Sequence, residues 1–322
     1  MKAILFSRTG LPEEVLSLGT ALEPTPAPDQ VLIRVTTRSI QPADLLFIEG
    51  RYRYTPSFPQ IAGFDAVGTV IDTGPGVTDL AQGTRVAFRG VGAWAEMAVA
   101  SRSRVYPVPE ALSDDVASQF ALNPLTAWGL IDECRLAPGA RLLITAGRSI
   151  VASLLTLLAR RQGLNPVLLI RNEDGYVTVD GNDGSVIAHA ASVAQVLQGT
   201  LKGEGFNAVL DAVGGVDSLA LIDALLPGGR LVTYGLLSDT DITLKGSTLL
   251  RKNLIWQGFG IEKWVSEKTP EDMHEATREL WAVLAEHPHV MPVIGRFPLE
   301  RFQEALQAVR NATRPGKVLL TN

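Results

Sequence analysis

Short apolar runs fill the first 110 positions: Lys2 to Phe6, Val31 to Thr37, Ala66 to Ile71, Thr84 to Phe88 and Ala95 to Val99. Gly and Pro clusters divide them, Thr73-Gly74-Pro75-Gly76 among them, and this texture predicts a strand-rich sandwich or barrel. From Asp114 the pattern changes to longer helical periods alternating with wholly apolar runs. Leu142 to Ile144, Val167 to Ile170, Ala208 to Leu210 and Leu231 to Tyr234 have the spacing of right-handed crossover units in a parallel sheet. Ile150 to Arg161 is an unbroken set of helix formers. Asn172 to Ser185 breaks the scheme, because Gly175, Gly181 and Asp183-Gly184 stand where a crossover helix is due. It reads as a hairpin or irregular loop. The tail from Val293 returns to short strands around one helix, Glu300 to Arg310.

The pattern predicts an α/β chain in two domains. Residues 1–119 and 262–322 form a strand-rich catalytic domain, and 120–261 form a doubly wound parallel sheet. A cleft between two such domains is a favoured place for a ligand. The turn between the strand at Leu142 and the helix at Ile150 sharpens this. A dinucleotide fingerprint G-x-G-x-x-G uses its glycines for the turn, for close approach of phosphate and for helix packing. Here those slots hold Gly147, Ser149 and Ala152. Alanine is small enough to pack, and serine keeps a hydroxyl where the helix N-terminus favours an anion. An ordinary strand-turn-helix without a ligand fits the same residues equally well.

Composition narrows the partners. The formal charge of −5 argues against nucleic acid and anionic membranes, leaving a small neutral or anionic molecule. A single cysteine, Cys134, rules out an internal disulfide and a multi-thiolate zinc site. No apolar stretch reaches 18 residues and no leader is evident, so the expected compartment is the cytoplasm.

Several segments, in order, resemble the medium-chain dehydrogenase/reductase superfamily over nearly the whole chain. They are Gln41-Pro42-Ala43-Asp44, Gly63-Phe64-Asp65-Ala66-Val67-Gly68-Thr69-Val70, Gly83-Thr84-Arg85-Val86, Asp211-Ala212-Val213-Gly214-Gly215, Pro227-Gly228-Gly229-Arg230-Leu231 and Arg314-Pro315-Gly316-Lys317-Val318. The resemblance implies a Rossmann domain and a GroES-like, partly open barrel. Zinc members carry a cysteine ahead of the Asp44 position and Gly-His-Glu where this chain has Gly63-Phe64-Asp65. Gln41 and Phe64 supply neither thiolate nor imidazole, so no catalytic metal is expected. Gly50-Arg51-Tyr52, Asn123-Pro124-Leu125-Thr126-Ala127 and Gln257-Gly258-Phe259-Gly260 are similar to the mitochondrial-type 2-enoyl thioester reductase and quinone oxidoreductase group. Gln257 and Gly260 depart from that group's Arg-Gly-Phe-Trp, which alters the acyl pocket.

The resemblance implies NADPH-dependent reduction of an activated double bond, with Tyr52 as the acid or oxyanion donor and Asn123 and Thr126 beside the nicotinamide. Tyr54 competes with Tyr52, and either ring can instead pack against the domain edge. Asn123 also suits a helix cap, with Pro124 at the first position. The cofactor-binding set is Gly147, Arg148, Ser149, Ile150, Val151, Arg171, Asn172, Tyr234, Gly235, Phe259 and Lys317. Arg171 stands where NAD enzymes present an acid, and a guanidinium pairs with a 2'-phosphate. Glu173 and Asp174 compete as its partners. Arg148 reads as a phosphate cation or a solvated arginine, and Lys317 as a cofactor contact or an exposed strand-end lysine. Asp44 and Asp65 are assigned no chemistry. The strand from Leu254 to Gln257 lies where relatives pair sheets, which implies a homodimer. A quinone reductase and a non-catalytic member of the fold are the competing readings.

Overall fold

The computed structural model describes every residue except 202, 239, 243 and 245. The backbone divides into two compact units, Met1–Pro124 with Glu275–Asn322, and Leu125–His274. The breaks suggested by sequence, at 119/120 and 261/262, fall earlier in the chain. Phe120 belongs to the first unit because its ring stacks on Trp281 with centroids 3.5 Å apart. The helix Ile261–Ser266 belongs to the second because Trp264 Nε1 donates to Asp132, 2.9 Å.

In the first unit, β1 (Lys2–Phe6) pairs antiparallel with β2 (Ser17–Thr20) and β4 (Gln60–Ile61). Between them in sequence, β3 (Gln30–Ser39) begins the main sheet, continued by β5 (Asp65–Thr73), β6 (Arg85–Arg89), β7 (Met97–Ser101) and β8 (Val105–Pro107). Alternate residues such as Val31, Ile33 and Val35 turn inward to a core completed by Val70, Val86 and Phe88. Strands β2, β4 and β8 escaped the sequence reading because two to four residues carry no measurable period.

The second unit is an α/β layer. β9 (Arg141–Ile144) lies between β10 (Asn165–Asn172) and β13 (Phe206–Asp211), all parallel, with the helix Ile150–Arg161 as the first crossover. β11 (Gly175–Asp180) and β12 (Val186–Ala190) extend the β10 edge antiparallel, and β14 (Leu225–Thr233) and β15 (Ile255–Gly258) extend the other edge parallel. The stretch after Asn172 is therefore a hairpin: β10 turns at Glu173-Asp174 directly into β11. β16 (Val293–Pro298) and β17 (Lys317–Thr321) return to the first unit, where β17 pairs antiparallel with β3. Among the described residues no helix is long and apolar enough to cross a membrane.

Candidate active site

Two groups of sequence-chosen residues come together, one in each unit. In the first unit, Tyr52 follows the helix Pro42–Ile48, and its ring packs on Phe64 with centroids 5.4 Å apart. Tyr54 lies edge-on to Tyr52 at 5.8 Å and also borders Phe64. Phe64 is fixed by its neighbour: Gly63 has φ +87°, and a Cβ there would lie 2.0 Å from Trp94 Cδ1, so only glycine fits. The two tyrosines differ in one respect. Arg89 Nη2 donates to the Tyr52 hydroxyl oxygen, 3.2 Å, whereas the Tyr54 hydroxyl has no hydrogen bond among the described residues.

Behind Tyr52 lies a buried polar cluster that the sequence did not announce. Asp44 and Asp65 are 0 % exposed and Arg89 is 5 % exposed. Asp65 and Arg89 are register partners across the β5–β6 ladder. The Gln41 backbone N–H donates to Asp44 Oδ2, 2.7 Å, and its side-chain Nε2 donates to Ser39 Oγ, 3.0 Å, and Asp65 Oδ2, 3.4 Å. Asn123 Nδ2 donates to Gln41 Oε1, 3.4 Å, which ties the second candidate residue to the same cluster. Asn123 is the first residue of the helix Asn123–Cys134, and Thr126, 9 % exposed, lies about one turn further along it.

Lys317 corrects one expectation. It is not an exposed strand-end lysine, because its ammonium is buried beside Asp44 and Asp65. Burial drives its pKa down to about 8, against the pull of the two carboxylates. Burial drives Asp44 up to about 7 and Asp65 up to about 8, with Arg89 opposing in both cases. Each acid also keeps one oxygen without a hydrogen-bond partner among the described residues. Nothing in the pattern Gln41-Pro42-Ala43-Asp44 or Gly63-Phe64-Asp65 marks these acids as neighbours, since Asp44 lies on the helix Pro42–Ile48, Asp65 on β5, and Gln41 bonds to both.

The sign of the pH effect follows. Both folded pKa values exceed the ordinary 3.8, so the folded state holds protons that the unfolded chain has released. That stability is complete below pH about 4 and declines as pH rises toward 7 to 8. Asp65→Asn removes one such site. The melting temperature of the wild type is expected to fall relative to Asp65→Asn between pH 5 and 8, by roughly 2–4 °C per kcal/mol. Parallel thermal-denaturation profiles would contradict this.

The second group lies at the carboxyl ends of the parallel strands, where such sheets bind ligands. Gly147 follows β9, and a Cβ there would lie 2.8 Å from Ile170 Cγ1 and 3.1 Å from the Leu169 carbonyl oxygen. Ser149 caps the helix, accepting from the Ala152 N–H at 3.1 Å, which leaves its own O–H to donate outward. The amides of Ile150 and Val151 lie in the first turn, where backbone N–H groups have no intrahelical partner; the Ile150 side chain itself is core. Arg148 Nη2 donates to Asn172 Oδ1, 2.5 Å. Arg171 is exposed, and no ion pair joins it to Glu173, Asp174 or any other described residue.

Asp211 organises the next strand end. It accepts from Thr145 Oγ1, 2.8 Å, Ser218 Oγ, 3.2 Å, and the amides of Val213 and Gly214. Tyr234 follows β14. Its hydroxyl is sealed without a hydrogen-bond partner among the described residues, and burial, aided by the Asp211 charge, pushes its pKa up. Gly235 sits against Ala212, where a Cβ would lie 2.5 Å from the carbonyl oxygen. The Phe259 ring covers Gly129 of the helix Asn123–Cys134.

Known proteins share this fold. The family model for the alcohol dehydrogenase GroES-like domain matches residues 27–110, and that for zinc-binding dehydrogenase matches 184–320. A mitochondrial enoyl-[acyl-carrier-protein] reductase of Caenorhabditis elegans is 30% identical over 84% of this chain and 80% of its own. A solved structure of a candidate NADPH:quinone reductase from Bacillus thuringiensis is 27% identical, with TM-score 0.84 over 100% of this chain and 98% of that one. A mycobacterial protein solved with NADPH is 25% identical, with TM-score 0.85 over 100% of both chains. The chain belongs to the medium-chain dehydrogenase/reductase superfamily.

Proposed function

We propose that this chain is a zinc-independent reductase that adds hydride from NADPH to the β-carbon of an α,β-unsaturated thioester or related enone. It is an NADPH-dependent oxidoreductase, similar to an enoyl-[acyl-carrier-protein] reductase, to a candidate NADPH:quinone reductase and to a protein solved with NADPH. The observation that carries the finer reading is the Tyr52 hydroxyl, framed by Phe64 and Tyr54 and hydrogen-bonded to a buried guanidinium. A phenol so held is built to donate to a carbonyl oxygen as enolate charge grows on it.

Gly147, Ser149 and the first-turn amides of Ile150 and Val151 fit a pyrophosphate, since only glycine fits at 147 and the turn presents unpaired donors. Arg171, exposed and unpaired among the described residues, fits a 2'-phosphate, with Arg148 and Asn172 tied together beside it. Tyr234, Gly235 and Phe259 border the same strand ends, and Asn123 and Thr126 would face the ring and substrate. Bound NADPH supplies the hydride. When the β-carbon takes up hydride, the π pair would move toward the carbonyl oxygen, to which Tyr52 would donate a hydrogen bond, and a proton from solvent water would complete the α-carbon as the carbonyl re-forms.

No step is routed through zinc. Gln41 spends its amide on Ser39, Asp65 and Asn123, and the Phe64 ring has no lone pair to give, so these residues do not fit the ion. The unpaired edge of β15, with Ile255 43 % exposed, suits pairing with a second copy. Light scattering should give twice the chain mass; a single-chain mass would remove the homodimer.

A spectrophotometric screen of NADPH oxidation tests the function. Crotonyl thioester is expected to be turned over faster than quinones. Quinone turnover that survives Tyr52→Phe, with no thioester activity, would transfer the assignment to quinone reduction.

A further inference from the structure

An arginine keeps its charge at every working pH, so one sealed inside a protein is costly unless groups around it use that charge. Arg89, at the end of β6, is such a residue. Its guanidinium carbon lies 5.0 Å from the centroid of Phe64, the ring against which Tyr52 and Tyr54 pack. Asp65 faces it across the β5–β6 ladder, and the carboxyls of Asp44 and Asp65 both feel its charge. Toward the other side, Nη2 donates to the Tyr52 hydroxyl oxygen, 3.2 Å.

That bond has two consequences. A phenol oxygen that accepts from a cation has a lone pair committed, so its own proton is directed away from Arg89. Donation from a charged group also polarises the O–H, making the hydroxyl a stronger donor to a third atom. Tyr54, on the same ring, lacks both.

We propose that Arg89 is a positioning residue for the reduction: it orients the Tyr52 hydroxyl and stabilises the negative charge that reaches it as the substrate's carbonyl oxygen becomes an enolate. The proposal rests on the assignment of Tyr52 as donor and extends it. Arg89 transfers no proton and touches no reacting atom. The carboxyls of Asp65 and Asp44 lie within reach of its charge, and the Phe64 ring lies against it.

A double-mutant cycle in kcat for crotonyl thioester reduction tests it, using wild type, Tyr52→Phe, Arg89→Leu and the double variant. Arg89→Leu should lower kcat about 10-fold or more where Tyr52 is present and less than about 2-fold in the Y52F background, since it acts only through the phenol. NADPH affinity should stay within about 2-fold in all four proteins. Equal losses in both backgrounds would make Arg89 merely structural and overturn the proposal. A Tyr52-dependent rate that ignores Arg89 would overturn it alone, leaving the function standing. A wild type inert toward the thioester, or unaffected by Y52F, would overturn the Tyr52 assignment and the proposal together. Should Arg89→Leu not fold, the pair Asp65→Asn/Arg89→Gln, which leaves no lone buried charge, replaces it with the same expected pattern.

Discussion

Tyr52→Phe is expected to lower kcat for thioester reduction by about 100-fold or more, with NADPH affinity unchanged. Phenylalanine fills the same space against Phe64 and Tyr54, so the aromatic packing survives and only the hydroxyl is lost. What disappears is a donor whose bond strengthens as charge moves to the carbonyl oxygen, which is why the loss falls on turnover rather than on binding. Tyr54→Phe is the internal comparison. Its hydroxyl has no partner among the described residues, so its removal should change kcat less than about 3-fold. Steady-state kinetics of both variants decide the matter. A larger loss from Tyr54→Phe would exchange their roles.

Arg171→Ala is expected to weaken NADPH binding by about 10- to 100-fold and to leave NADH nearly unchanged. The two cofactors differ by one phosphate on the ribose. An exposed guanidinium at the end of β10, with neither Glu173 nor Asp174 paired to it, has its charge available for that phosphate. The hairpin explains why those acids do not compete: Arg171 is the register partner of Tyr176, and the chain turns at Glu173-Asp174. Arg148 is tied to Asn172, so Arg148→Ala should have a smaller effect of the same sign. Calorimetric titration of both cofactors measures this. Equal weakening of NADPH and NADH would remove Arg171 from 2'-phosphate recognition.

The parts legible in the sequence are those written in local period and composition. The run Leu142 to Ile144 and the helix Ile150–Arg161 read directly, because a buried parallel strand and a long helix each leave an unmistakable pattern. The turn at Gly147 was legible as a turn, and the structure adds why glycine is there: Ile170 and Leu169 leave no space for a Cβ. The loss of a crossover helix after β10 was also visible, since Gly175 and Asp183-Gly184 cannot sit within one cheaply.

What sequence hid is the buried charge. Arg89 sits in Val86-Ala87-Phe88-Arg89 as an ordinary polar residue at a strand end, and Lys317 opens an exposed-looking C-terminal strand. Only the pairing of β5 with β6 sets Arg89 opposite Asp65, and only the return of β17 to β3 carries Lys317 to Asp44 and Asp65. A residue's charge partner across a ladder depends on register, and register is a property of the assembled sheet.

Hydride delivery to the β-carbon of an unsaturated thioester is tested by turning over crotonyl thioester with NADPH deuterated at the transferable position and locating the label by NMR. Butyryl thioester carrying one deuterium at C3 is expected. Label at C2, or no consumption of the thioester, would contradict it.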